Sequence, residues 1–390
     1  MRIRLLASWL DRRSGSATWM RAFAEGLAAR GHRVEILCLG PEDAPSPGGV
    51  EAEDFHVLTP PHFTLPGWWR FDHLRAFLSA RRRIAALGLD APDLVVASEH
   101  SLIAAHHRLF PGVPWVYLPH SAPAGAGETM AAFSADPLAR ALLRRLYGRA
   151  QRRAIATADA VVRFTEPAMR KMLADFPGVE ARRAVVIPPA VELPEDAEPP
   201  AGQAPVRLLA LGRLVRDKRV DLLIEILSHL SKDARWTLDV VGEGPERGRL
   251  EEMAASLGLE KKITFHGHKD EVAGFYRACD LFLFPSRDES LGLAPLEAMS
   301  HARPVLAFDP DAPGVQLLGG RLVEHGLTGW MARDDEDFLR ILHLLITNPS
   351  PLRPTGRAAR RLVAERHSWP VHLDRWEGLF DELRGDPASD

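Results

Sequence analysis

The chain has 390 residues, of which 46% are hydrophobic and 26% are charged, and its formal net charge is −3. This composition is typical of a globular protein rather than a disordered one, and the length indicates two domains. The sequence contains no run of about 20 apolar residues, so we expect no membrane-spanning helix. Two cysteines, Cys38 and Cys279, lie in apolar runs and indicate small core residues of a reduced, cytosolic protein.

The first predicted element is a β-strand in MRIRLLASWL, which is too short and too interrupted by arginines for a signal peptide. Short apolar runs then alternate with amphipathic segments such as Trp19–Arg30 and Asp136–Thr157. This rhythm predicts a parallel sheet covered by helices on both faces. The predicted strands are IRLLAS, RVEILCL, DLVVAS, PWVYLPH, DAVVRFT and AVVIPP.

The same rhythm restarts after residue 205, beyond a Pro-rich, acidic segment that is typical of a linker. We therefore predict an α/β protein with two Rossmann-like, doubly wound domains facing across a cleft. The first domain comprises residues 1–195 with a C-terminal helix at 371–386, and the second comprises 205–370. The second set of predicted strands is VRLLALG, TLDVVGEG, KITFHG, LFLFPS and PVLAFD.

Two basic residues follow the first strand of the second domain. Arg213 and Lys218 lie in a loop before a helix that starts near Val220. Cations beside a helix N-terminus face a partial charge of the same sign, which is unfavourable unless an anion shares the site. The loop therefore predicts a phosphate site, although a solvated basic loop would look the same.

Two further loops carry weaker signals. VVGEGPERGRL places Gly242 and Gly244 in a tight turn but lacks the full dinucleotide fingerprint, which argues against an NAD enzyme. At the end of KITFHG, the loop that contains His268 offers a surface for a nucleotide base. An ordinary polar turn explains that loop equally well.

The stretch ESLGLAPLE places two carboxylates, Glu289 and Glu297, on either side of a helix entrance. Pro295 suits the first turn of a helix, so the backbone N–H groups of Leu291, Gly292 and Leu293 form an anion site. Ionised carboxylates only accept hydrogen bonds and suit hydroxyl donors. The order predicts a nucleotide diphosphate sugar, with its sugar at Glu289 and its ribose at Glu297. In the alternative reading, Glu297 only complements the helix dipole.

The second half of the chain resembles the C-terminal domain of family 4 glycosyltransferases, retaining enzymes with the GT-B fold. The resemblance rests on GRLVRDKRVDLLIEI, VVGEGPERGRLEEMAASLGLEKKITFHG and ACDLFLFPSRDESLGLAPLEAMSHARPVLAFD. It continues more weakly in SGSATWMRAFAEGLAARGHRVEIL, ADAVVRFTEPAMRKML, VVIPPAVE and the closing ERHSWPVHLDRWEGLFDEL.

The resemblance implies a role for each matching residue. Arg213 and Lys218 match the pair that binds the donor diphosphate, and Glu289 and Glu297 match the two acids of the E-x7-E motif. Further matching positions are Gly292 and Leu293 at the donor phosphate and sugar, Gly15 near the diphosphate, and His120 near the donor sugar and acceptor. His120 fits a packing histidine as well.

Several positions depart from the pattern of the family. Gly15-Ser16 replaces a frequent double glycine, Thr165 replaces a usual serine, and Pro189-Ala190 replace Asn-Gly. His301-Ala302 stand where the family usually has Cys-Gly, and the loop DAPGVQLLGGRLVEHG is longer than the common one. These departures leave the donor-binding set complete.

The resemblance implies a hexosyltransferase that uses a UDP- or GDP-sugar as donor substrate, needs no cofactor or metal, and retains anomeric configuration. The first domain would bind a glycan, lipid-linked or small-molecule acceptor. Two alternatives stay open: a nucleotide-sugar epimerase on the same fold, and a sugar-nucleotide-binding protein without transfer activity. We expect no nucleic-acid partner.

Charge is uneven along the chain, with net +4 in residues 1–195 and −7 in the remainder. RAFLSARRRIAALG and RALLRRLYGRAQRRA combine leucines with arginine clusters at helical spacing, and HFTLPGWWRF adds aromatic residues nearby. Basic amphipathic helices bind anionic lipid surfaces. We therefore expect a cytoplasmic protein with peripheral contact to the inner face of the membrane. Helices that merely cover a sheet show the same pattern.

Overall fold

The computed structural model describes residues 1–7, 15–38, 48, 50–58, 72–98, 100–119, 137–231, 234–289 and 292–385.

The chain divides into two compact units. One comprises Met1–Ile187 with Leu373–Asp390, and the other comprises Pro188–His372. Residues 188–195 therefore belong to the second unit, whereas the sequence had placed them in the first domain. The reason is local pairing: Val191 forms a β-bridge with Ser368, and its N–H donates to the carbonyl of His367 at 2.9 Å.

The first unit is built on parallel strands. They are β1 Arg2–Ala7, β2 Arg33–Cys38, β3 Phe55–Val57, β4 Leu94–Ala97, β5 Trp115–Tyr117, β6 Ala160–Arg163 and β7 Ala184–Val186. They form one sheet in the order β3-β2-β1-β4-β5-β6-β7. The helices are α1 Gly15–Ala29, α2 Asp72–Ala86, α3 His100–Leu109, α4 Pro137–Thr157 and α5 Glu166–Asp175. Of the strands described in this sheet, the sequence does not predict β3, because its three half-buried residues form no apolar run.

The second unit repeats this architecture. Its main strands are β8 Val206–Leu211, β9 Trp236–Val241, β10 Ile263–Gly267, β11 Leu281–Phe284, β13 Val305–Phe308 and β15 Gly329–Ala332, with a short pair β12 Asp288–Glu289 and β14 Gln316–Leu317. The main sheet has the order β10-β9-β8-β11-β13-β15. The helices are α6 Val220–Ser228, α7 Arg247–Ser256, α8 Ala273–Ala278, α9 Leu293–Ser300, α10 Asp335–Thr347 and α11 Leu352–Arg366. The last helix, α12 Trp369–Gly385, starts in this unit and continues from Leu373 as part of the first unit.

Burial on both faces explains why strands of the second unit are apolar without alternation. Neighbouring residues in a strand point to opposite faces, yet Leu208 and Leu209 of β8 are both fully buried. Leu208 shares a core cluster with Leu223 of α6, whereas Leu209 belongs to a second cluster with Leu296 of α9. The predicted doubly wound fold is confirmed in this unit.

Arg4, an arginine within the first apolar run, is paired inside the core. Its side chain is fully buried and donates from Nε to Glu35 of β2 at 2.8 Å and from Nη1 to His106 at 2.9 Å. A buried charge needs such partners. Burial and the guanidinium of Arg4 lower the pKa of His106 to about 3, so this histidine is a neutral acceptor.

No helix in the described ranges is long and apolar enough to cross a membrane.

Candidate functional site

The carboxyl ends of β8 and β11 border a pocket of about 300 Å³. Gly212, Arg213 and Lys218 line it from the loop after β8, and Pro285 and Ser286 line it from the loop after β11. Ligands of open α/β sheets bind beyond the carboxyl ends of the strands. The fold thus brings the predicted basic pair together at one strand-end pocket.

The backbone between β8 and α6 is tightly turned, and this turn directs Lys218. Residues Arg216–Lys218 form a single 3₁₀ turn, and Arg219 then adopts a left-handed conformation with φ 50° and ψ 35° before the helix begins. Non-glycine residues in this region are uncommon and cluster at functional sites. Arg213 at the start of the loop is exposed, and no carboxylate of the described residues pairs with it.

Lys218 and Glu289 form a direct ion pair. Both side chains are mostly buried, and the ammonium also lies 5.9 Å from the centre of the Phe284 ring. Burial and the nearby guanidinium of Arg213 lower the pKa of Lys218 to about 8. Lys218, predicted to bind the donor phosphate, and Glu289, predicted to bind the donor sugar, are therefore paired with each other in the free protein.

Glu289 lies in the two-residue strand β12. Asp288 and Glu289 pair in parallel with Gln316 and Leu317, and the N–H of Leu318 donates to the carbonyl of Glu289 at 2.8 Å. A two-residue strand has no sequence signal of its own. This pairing fixes the backbone that presents the Glu289 carboxylate.

Gly292 forms the entrance of α9, as predicted. It caps the helix with φ 70° and ψ 59°, a left-handed conformation that glycine adopts without strain. A side chain there would also lie 3.4 Å from the Phe284 ring. Leu293 is the first helical residue and Pro295 lies in the first turn. The first N–H groups of a helix have no partner inside it and can bind an anion.

Glu297 lies one turn into α9 and accepts a hydrogen bond from the hydroxyl of Tyr276 at 2.7 Å. Burial raises the pKa of Glu297, while the bond from Tyr276 opposes this shift. Tyr276 is itself buried against the imidazole of His301, with ring centres 5.2 Å apart. Sequence reasoning missed Tyr276, because the contact joins residues 21 positions apart and no motif marks it.

The glycines after β8 and β9 let the two loops meet backbone to backbone. Gly242 has φ 141°, and a β-carbon on it would lie 1.9 Å from the carbonyl oxygen of Gly212. A β-carbon on Gly244 would lie 2.2 Å from the carbonyl oxygen of Leu214. In addition, the N–H of Leu214 donates to the carbonyl of Glu243 at 2.8 Å. Because Gly242 has no side chain, the loop that contains Arg213 and Lys218 can pack directly against it.

His266 within β10 and His268 just after it differ in their surroundings. His266 bonds Asp239 at 2.6 Å and packs against Phe275, with ring centres 4.8 Å apart. His268, the predicted donor-binding residue, is exposed and lies 3.3 Å from Asp270 of its own loop. Its role therefore stays a prediction.

A second pocket of about 370 Å³ borders the first at Phe284. Its walls are apolar except for Glu289, and Gly292 forms part of its rim. The Lys218–Glu289 pair therefore lies between a basic pocket and an apolar one.

The other predicted site residues are His120, Leu291 and Gly15. His120 and Leu291 lie outside the described residues. Gly15 is the first residue of α1 in the other unit. Within the described ranges, no three His, Cys, Asp or Glu side chains are grouped closely enough to hold a metal ion.

Two family models match adjoining parts of the chain. The model for Glycosyltransferase Family 4 matches residues 13–195, and the model for Glycosyl transferases group 1 matches residues 195–362. The junction at 195 falls close to the boundary between the two compact units.

Curated relatives agree with these models. An uncharacterized glycosyltransferase of Haemophilus influenzae is 30% identical over 176 residues, which are 44% of this chain and 48% of the relative. The chain thus spans about half the length of that relative. The alpha-D-kanosaminyltransferase of Streptomyces kanamyceticus is 26% identical over 399 aligned residues, covering 93% of this chain and 98% of that protein.

Solved structures show the same fold. The Anabaena protein HepE, in a complex with UDP-glucose, aligns with a TM-score of 0.70 at 17% identity, covering 98% of this chain and all of the other. This fold is the two-domain GT-B architecture that the sequence predicted. Together the two family models cover most of the chain, and the protein belongs to the family 4 glycosyltransferases.

Proposed function

We propose that this protein is a retaining glycosyltransferase that moves a hexose from a UDP- or GDP-sugar to an acceptor hydroxyl. The observation that carries the proposal is the group of Arg213, Lys218 and Glu289 at the strand-end pocket of the second unit, with Glu297 on the adjoining helix. The UDP-glucose complex of the structurally similar HepE supports a nucleotide sugar as donor.

The donor would lie along these residues in a definite order. Arg213 grips the diphosphate together with Lys218, and the N–H groups at the start of α9 bind a phosphate oxygen. Glu297 accepts hydrogen bonds from the ribose diol, and Glu289 accepts them from the sugar. His268 offers a surface for the base.

The chemistry follows from where charge develops. The bond from the anomeric carbon to the leaving phosphate oxygen breaks while the acceptor oxygen attacks from the same face, which retains the configuration. The leaving phosphate takes the acceptor's proton. Negative charge grows on the diphosphate, and the cations and helix N–H groups stabilise it in the transition state. No step requires a metal.

We assign the acceptor to the first unit. His120 would lie near the donor sugar and the acceptor hydroxyl, and Gly15 would let the diphosphate approach the backbone closely. The acceptor is a glycan, a lipid-linked sugar or a small molecule.

Product analysis tests the proposal directly. The purified protein is incubated with UDP- and GDP-sugars, with and without candidate acceptors and with excess chelator. We expect acceptor-dependent nucleotide release and a product with the donor's anomeric configuration. Acceptor-independent release with an altered sugar would indicate the epimerase instead. Donor binding without any turnover would indicate a binding protein.

A pair of arginine variants localises the activity. Arg213→Ala should lower turnover at least tenfold, because charge-assisted bonds to phosphate are worth about 1.5–3 kcal/mol. Arg216→Ala is the matched control: Arg216 lies in the same loop, but it is highly exposed and pairs with Glu246 at 3.6 Å. If the two folded variants were equally active, Arg213 would not be a donor-binding residue.

A further inference from the structure

Asp335 binds two arginines from different loops of the second unit. Its Oδ1 accepts from Nη2 of Arg287 at 2.7 Å, and its Oδ2 accepts from Nη2 of Arg219 at 3.4 Å. Asp335 is the first residue of α10. The preceding residue, Asp334, caps this helix, since its carboxylate accepts from the N–H of Asp337 at 2.8 Å. The carboxylate of Asp335 is therefore not needed as the cap.

Both arginines adjoin the donor-site pair. Arg219 directly follows Lys218 and holds the left-handed conformation that ends its loop. Arg287 lies two residues before Glu289, and its guanidinium lies 4.7 Å from the centre of the Phe308 ring. The backbone carbonyl of Arg287 also accepts a hydrogen bond from the N–H of Gln316 at 2.6 Å. One carboxylate thus joins the two chain segments that carry Lys218 and Glu289.

We propose that Asp335 is a positioning residue that sets the separation of Lys218 and Glu289, and with it the donor site. The inference rests on the proposed function. A ligand held by groups from two loops binds well only if the loops keep a fixed spacing. Without the carboxylate, two like charges would face each other, and Nε of Arg287 is already buried with no partner among the described residues.

The test compares two neighbouring acids. Asp335→Asn keeps the shape but removes the charge. Glu336→Gln is the matched control, because Glu336 lies in the same helical turn, is exposed and has no hydrogen bond or ion pair within the described ranges. Calorimetry with UDP and with GDP should show at least about fivefold weaker binding for Asp335→Asn. The control should bind like the unmodified protein.

Two further readouts separate positioning from a general loss of stability. In the Lys218→Ala background, the effect of Asp335→Asn on nucleotide affinity should largely vanish, whereas a purely structural role would give additive effects. Pulsed amine labelling with mass spectrometry should show a changed pH profile at Lys218 in Asp335→Asn without any nucleotide. An unchanged labelling profile together with unchanged nucleotide affinity would overturn the inference. Changed labelling in a protein that binds no nucleotide would overturn the proposed function alone.

Discussion

At the scale of single residues, the charge of Lys218 has two competing partners. In the free protein its ammonium pairs with Glu289 in a mostly buried setting. In the proposed complex the same ammonium binds the diphosphate, and the Glu289 carboxylate accepts hydrogen bonds from the sugar. Donor binding therefore exchanges one ionic contact for another. Because Arg213 has no carboxylate partner among the described residues, it is the cation available for the first contact with the phosphates.

The low pKa of Lys218 predicts a pH dependence. Since burial and Arg213 lower this pKa to about 8, Lys218 loses its proton as the pH rises through that value, and with it the charge that binds the phosphates and pairs with Glu289. We expect kcat/KM for the donor to fall between pH 7 and pH 9.5. Lys218→Arg should be less active but flat over this range, because a guanidinium stays charged. A flat profile for the unmodified protein would contradict the assignment.

Tyr276→Phe tests how Glu297 is held. Phenylalanine fills the same buried volume but removes the 2.7 Å bond to the carboxylate. Leaving a buried acceptor unsatisfied costs about 1–3 kcal/mol, so we expect a lower free energy of unfolding and roughly tenfold weaker UDP or GDP binding. Pyrophosphate is the control ligand, because it contains no ribose and its affinity should not change. Unaltered nucleotide affinity would show that Glu297 does not depend on Tyr276.

At the scale of elements, the contact between the loops after β8 and β9 determines where the basic pair lies. The N–H of Gly212 donates to the carbonyl of Val241 at 3.0 Å, and that of Gly242 donates to the carbonyl of Gly267 at 2.9 Å. Three strand ends are therefore linked in series by backbone bonds. This contact leaves no room for a side chain at Gly242.

Gly242→Ala should disrupt this contact. Its β-carbon would overlap the carbonyl oxygen of Gly212 at 1.9 Å, and a φ of 141° is unsuitable for alanine. We expect the free energy of unfolding to fall by at least about 2 kcal/mol, measured by chemical denaturation. Gly248→Ala in α7 is the control, since nothing lies within 4 Å of its β-carbon. That change should be neutral or stabilising by up to about 1 kcal/mol.

The sequence predicted those elements that have a local signal, such as an apolar run or turn residues. The apolar runs located β8, β9 and β11, and the turn residues located the start of α9 at Leu293–Ser300. What it missed depends on contacts between distant residues. β15 at Gly329–Ala332 begins with a glycine and has only three apolar residues, which are too few to indicate a strand. The bonds from Tyr276 to Glu297 and from Arg219 to Asp335 exist only once the sheet has formed.

At the scale of the whole molecule, the last helix completes the first unit. Trp376 and Phe380 of α12 are fully buried, and the Trp376 ring lies 5.0 Å from that of Phe23 in α1. Arg30, which directly follows α1, adds an ion pair to Asp374 at 2.6 Å. We therefore expect that removing the end of α12 would destabilise the first unit rather than the donor site.

The arginine-rich surface of the first unit has a structural basis in α2. Ala80 and Ile84 are buried in the core, whereas Arg81 and Arg82 are exposed and have no ion pair within the described ranges. This division is what a helix covering a sheet requires, and it also leaves two free cations facing solvent. The aromatic segment at 62–71, another part of the membrane hypothesis, lies outside the described residues.

We propose peripheral contact with anionic membranes and test it by flotation with anionic and neutral vesicles. Each cation near an anionic surface contributes about 1 kcal/mol, so replacing Arg81 and Arg82 with serine should weaken binding to anionic vesicles by more than tenfold. Binding should also weaken in high salt, which screens exposed charges. Replacing Arg353 and Arg357 of α11 with serine removes the same charge from exposed positions of the other unit and should leave flotation unchanged. If both double variants lose binding equally, net charge rather than this helix determines the contact. If the unmodified protein does not float with anionic vesicles at low salt, the membrane proposal is wrong.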